Sequence, residues 1–126
     1  MIHEEICTYE VAKLAKEKGF DVPTFGYYRI DTEDWYRTDV YDDWNDSTIR
    51  YSAPTQSLLQ LWLREEKGIH ISVEYEWVEG IDDWTFYAYI KKVNNAKVVD
   101  DAIKSGFNTY ELALEEALKY ALENLV

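Results

Sequence analysis

The residues of this chain that could do chemistry fall into two groups: a few nitrogen and sulfur ligands, and carboxylates almost everywhere. His3, Glu4, Glu5 and Cys7 lie close enough to serve as metal ligands, and a helical terminus would set His3 and Cys7 one turn apart. Zinc sites usually recruit two such pairs, and the other histidine, His70, is far along the chain, so a frayed terminus with a free thiol is expected. His70 alternates with Ser72 and Glu74 on the polar side of a strand and reads as a surface residue. Arg64 and two glutamates stand near it in sequence, but the helix that carries them reads as packing. Carboxylates come in pairs at Asp42/Asp43, Asp82/Asp83, Asp100/Asp101 and Glu115/Glu116. Acid–base catalysis needs two carboxyls held in different environments, which adjacent turn residues seldom provide. A cation loop around Asp42, Asp43, Asn45 and Asp46 lacks the spacing and distal glutamate of an EF-hand. Glycine-rich phosphate loops, nucleophile elbows and cysteine–histidine arrangements are missing from the sequence. The expectation is an accessory protein with no catalytic residue, cofactor or metal, with an enzyme using buried carboxylates kept as an alternative.

The aromatic residues carry more. Trp35, Tyr36, Tyr41 and Trp44 are interleaved with acids before Ser52, and Tyr87 and Tyr89 fall beside Glu74 and Glu76 on the polar side of a hairpin. Tyrosine and tryptophan on a surface are typical interface anchors. These eight residues are the expected interaction surface for a protein partner or for self-association. The other reading is that the N-terminal segment covers that face and makes it a second core layer.

Composition narrows the field. The 126 residues are 47% hydrophobic and 16% aromatic, enough for one domain spanning 1–126 with a single core. A single cysteine excludes an internal disulfide and suits a reducing compartment. The opening segment lacks the basic-then-apolar order of a secretion signal, and no apolar run is long enough to cross a bilayer. A cytoplasmic location with no membrane contact is expected. Thirteen basic against 25 acidic residues give a net charge of −12, which repels phosphate backbones and argues against direct nucleic-acid binding. The same charge allows a basic partner, or acids that imitate DNA and block a nucleic-acid-binding enzyme.

The elements follow from periodicity. Thr8 should cap a helix with Val11, Leu14 and Ala15 as its stripe, stopped at Gly19. An edge strand is expected over Val22–Ile30, then one or two short strands within residues 31–50, around Trp35–Val40. Ser52 or Thr55 should cap the next helix, with Pro54 in its first turn, a wide stripe over Leu58, Leu59, Leu61, Trp62 and Leu63, and Gln56 and Gln60 on the wet side. Ile69–Val78 and Trp84–Val93 alternate as a hairpin, with Ile69, Ile71, Val73, Tyr75, Trp77, Trp84, Phe86, Ala88 and Ile90 inside. Residues 96–104 read as a third strand, or else as a short helix. A last helix starts near Asn108-Thr109 and runs to about Asn124; its opening T-Y-E-L-A echoes T-Y-E-V-A at Thr8, which convergent helix-start chemistry explains.

The run A-P-T-Q-S-L-L-Q-L-W-L-R-E-E-K-G-I-H-I, with G-F-N-T-Y-E-L-A-L-E-E-A-L, resembles a family of small uncharacterised proteins of gut Bacteroidales and their phages and mobile elements. The resemblance covers less than a third of the chain and implies an accessory role without implying an activity. The α–β–β–β–α order also resembles double-stranded-RNA-binding domains, in order alone and against the charge. The fold expected is α+β, a small antiparallel sheet with helices on one face, in the order α-β-(β)-α-β-β-(β)-α.

Overall fold

Thr8 caps the first helix with its side chain, whose Oγ1 accepts from the backbone N–H of Val11 at 3.3 Å. The computed structural model describes residues 3–126, and in it this helix, α1, spans Tyr9–Glu17. Val11, Ala12 and Ala15 are its buried stripe. Gly19 ends it at φ +91°, where a side chain would be strained, and the fully packed Phe20 returns its N–H to Ala15 O at 2.9 Å. Residues 4–7 are tied down, which corrects the expected frayed terminus. Cys7 is buried, its N–H donates to Pro54 O at 3.0 Å, and its carbonyl accepts from the Tyr28 hydroxyl at 2.5 Å.

The chain divides into two compact units, Met1–Leu59 and Gln60–Val126, and its strands are shared between two three-stranded antiparallel sheets. The α+β class and the order of elements are as the sequence predicts. The first sheet contains β1 (Thr24–Arg29), β2 (Trp35–Asp42) and β3 (Arg50–Ser52), ordered β2-β1-β3. β1 pairs through Tyr27 with Tyr36 on one side and with Ser52 on the other, so it is the central strand and not the expected edge strand, because β2 and β3 both return to flank it. Residues 31–50 thus supply one eight-residue strand and the start of a short return strand. Asn45 organises the turn between them. Its Nδ2 donates to Phe20 O at 2.8 Å, and its Oδ1 accepts from the Ser52 N–H at 2.7 Å.

Thr55, not Ser52, caps the second helix, α2, Gln56–Lys67, by accepting from the Leu58 N–H at 3.1 Å. Pro54 therefore precedes the helix instead of opening it. The buried side of α2 is Gln56, Leu59, Trp62 and Leu63. Leu61 is exposed, and Gln60 turns inward to donate to Ile71 O at 2.9 Å, so the apolar stripe is narrower and shifted from the expected one.

In the second unit β4 (Ile69–Val78), β5 (Asp83–Asn94) and β6 (Lys97–Phe107) form a meander, and residues 97–107 are strand. The pairs Ile71↔Ile90 and Val73↔Ala88 fix the inner face. Helix α3, Tyr110–Asn124, packs on this sheet through Ala113, Leu114, Ala117, Leu118, Ala121 and Leu122. Thr109 caps it as Thr8 caps α1, accepting from the Leu112 N–H at 3.1 Å, so the cap is what the two T-Y-E openings share.

Gly68 joins α2 to β4 at φ +66°, and a Cβ there would lie 2.7 Å from the carbonyl oxygen of Val93. That backbone is itself bound, because the Val93 N–H donates to Gly68 O at 2.8 Å. Gly68→Ala is expected to lose about 2 kcal/mol or more in urea unfolding, with an unchanged m-value. An unchanged midpoint would show that the strand end yields freely.

Candidate functional site

Two surfaces gather the aromatic side chains, one in each unit. In the first unit the backbone of β1 is bare at Gly26, and the Trp35 indole lies where a side chain would otherwise stand. A Cβ on Gly26 would come within 2.7 Å of Trp35 Nε1. Phe25 and Tyr41 stack at 4.7 Å between ring centroids. These three rings are on the walls of a cleft of about 620 Å3, with Arg37 and Glu4 also lining it. The volume falls in the range usual for small-molecule pockets. Its floor includes Ile6, Pro23 and Ala53.

The other two expected anchors of this unit are engaged within it. Trp44 donates its indole N–H to Thr24 O at 3.1 Å, and its ring lies 5.0 Å from that of Tyr27 and 5.3 Å from the Arg50 guanidinium. Tyr36 stacks on Tyr27 at 5.7 Å. Asp43 caps the turn that carries Trp44, accepting from the Asn45 N–H at 2.9 Å. Asn45 is committed to the backbone on both sides of its amide, so the loop around Asp42, Asp43, Asn45 and Asp46 is engaged in its own folding. Among the described residues no group of three or more His, Cys, Asp or Glu is placed to hold a metal.

The second unit carries the larger aromatic surface, on a face that alternation had assigned to the core. Fifteen helical residues make α3 about 22 Å long. Ten residues make β4 about 34 Å long, so the sheet outruns the helix that covers it. Up to Val73 and Ala88 the inner face is packed. Beyond them the same face is open, and Tyr75, Trp77 and Trp84 are 56%, 48% and 50% exposed. This corrects the expected inside placement of those residues. The rings support one another: Tyr75 stacks on Phe86 at 4.5 Å and 9°, and Trp77 meets Trp84 at 5.9 Å. Tyr110, in the first turn of α3, closes the row with its ring edge-on to Phe86 at 6.4 Å. From Val73 to Ile90 the hairpin has five carboxylates, Glu74, Glu76, Glu79, Asp82 and Asp83, and no lysine or arginine. All five are exposed.

The chain matches no protein-family model, no curated protein and no solved structure.

On the reverse of that sheet stand the other expected surface residues. Glu74 pairs across the strands with Tyr87, Glu76 with Thr85, and Ser72 with Tyr89. Tyr87 and Tyr89 are half-buried. The Tyr89 hydroxyl donates to Asp101 Oδ2 at 3.1 Å, and that bond, followed by the charge of Asp101, raises its pKa. A shallow depression of about 270 Å3 brings Arg64, His70, Tyr89 and Lys91 together. Arg64 pairs with Glu65 at 3.3 Å, and the Lys91 ammonium lies 6.0 Å from the Tyr89 ring centroid. Among the described residues no helix is long and apolar enough to cross a membrane.

Proposed function

We propose that this protein is an accessory binding protein that docks a basic protein partner on the far half of the β4–β5 hairpin. The observation that carries the reading is the row Tyr75, Trp77 and Trp84, open to solvent beside a half-buried Phe86 and set in a segment with five carboxylates and no lysine or arginine. Exposed aromatic rings supply buried area at little entropic cost, and they attract guanidinium and ammonium groups through their faces. Carboxylates of the same hairpin, Glu79, Asp82 and Asp83 at and beside its turn and Glu74 and Glu76 on the reverse face, speed the encounter with such a partner. A protein surface with arginine and lysine among apolar side chains meets both demands. The resemblance of α2 and α3 to small proteins of Bacteroidales phages and mobile elements suits such an accessory role.

The test is affinity capture from host lysate at about 0.05 M and about 0.5 M salt, with the wild-type chain and a Trp77→Ala/Trp84→Ala chain as baits. The salt range shortens the screening length severalfold and so isolates the charge contribution. A basic protein held by the wild type, weakened but retained at high salt, and lost by the double variant is expected. Retention of nothing at either salt would defeat the proposal. Complete release at high salt, with no dependence on the two tryptophans, would point instead to acids that imitate DNA.

A further inference from the structure

Several polar side chains around the cleft of the first unit are already committed, while His3 and the Tyr41 hydroxyl, which also line it, make no hydrogen bond among the described residues. The Thr24 hydroxyl donates to Gly26 O at 2.7 Å, Thr55 Oγ1 takes the Leu58 N–H, and the Glu4 carboxylate accepts from the Ser57 hydroxyl at 2.7 Å. Arg37 differs: it lines the cleft, it is exposed, and its guanidinium makes no hydrogen bond or ion pair among the described residues. β2 places it two residues from Trp35, on the same face of the strand and about 7 Å along it. Trp35 in turn is seated on Gly26, so a flat indole surface and a free, fork-shaped donor lie side by side above an apolar floor.

We propose that this cleft binds a small planar aromatic carboxylate, its ring against Trp35 and the Phe25–Tyr41 stack and its carboxylate on Arg37. Flat apolar walls select the ring. A guanidinium offers five N–H donors and no acceptor, in a geometry that matches a carboxylate with two parallel bonds. Glu4 lies on the same lining and repels anions, but the Ser57 hydroxyl draws on its charge. Arg37 is the one lysine or arginine among the described residues of the lining, and a ligand carboxylate answers its charge.

Titration of the 15N-labelled protein with indole-3-acetate, indole and tryptamine tests this, with Trp35 Nε1–H as the reporter. Trp35→Phe assigns that resonance by removing it. Indole-3-acetate is expected to move it, with indole bound about tenfold more weakly and tryptamine weaker still, as one charge-assisted contact warrants. Arg37→Gln, a change at an exposed side chain, should leave the rest of the spectrum in place and reduce indole-3-acetate to the level of indole. Equal binding of all three probes, preference for tryptamine, an unmoved Trp35 resonance, or an Arg37→Gln chain that binds as the wild type would each overturn the assignment.

Discussion

Replacing Trp62 with alanine is expected to destabilise the protein by about 3–5 kcal/mol, the cost of removing a large packed aromatic ring. That is a large share of the roughly 5–15 kcal/mol that holds a typical domain together. Trp62 is only 5% exposed, with Leu59 and Leu63 beside it fully buried. The Lys67 ammonium lies 5.2 Å above its ring, so the last turn of α2 loses a contact as well. Leu61→Ala is the comparison: that side chain is exposed, and its loss should cost under about 1 kcal/mol. Urea unfolding of the two variants measures the difference. If both unfolded at the wild-type midpoint, α2 would be a passive connector and its apolar stripe a surface.

Local structure was legible where one residue decides it. Thr8 and Thr109 cap helices through their own oxygens, and Gly19 and Gly68 leave them at positive φ, so sequence and structure agree on those ends. The strand alternation was equally plain, and β4 and β5 pair in the register that it implies. What alternation cannot give is where the cover stops. It separates the two faces of a sheet, while a strand of ten residues, about 34 Å, is longer than a helix of fifteen, about 22 Å, and the far inner-face residues Tyr75, Trp77 and Trp84 are exposed. Comparing those two lengths was the signal by which Tyr75, Trp77 and Trp84 could have been placed outside. Gln56 failed in the opposite sense. Its side chain is polar, yet it is only 4% exposed: its backbone N–H donates to Glu5 O at 2.8 Å, and Ile6 bridges to the neighbouring Thr55. The cleft of the first unit was hidden for a similar reason. It depends on Gly26 lying under Trp35, a diagonal neighbour across two strands whose bulge near Thr24 has no sequence mark.

Trp84→Ala should separate binding from folding on the hairpin. Its ring is half exposed and rests on Trp77 and Tyr75, so truncation forfeits only cross-strand contacts of about 0.2–1 kcal/mol. If the hairpin docks a partner, the same ring becomes the centre of a desolvated contact. Loss of such an anchor typically costs about 2 kcal/mol or more, which is about thirtyfold in Kd. The expected result is a melting temperature within a few degrees of the wild type together with a partner released by at least that factor. Calorimetric titration of the captured partner measures the second quantity, and a thermal scan the first. Glu76→Gln provides the contrast, because it removes a charge from the reverse face and leaves the aromatic row intact. It should slow association at low salt and change little at high salt. Were Glu76→Gln to abolish binding while Trp84→Ala bound normally, carboxylates alone would be the recognised feature. The aromatic row would then be a face that the short α3 leaves bare, with no ligand of its own.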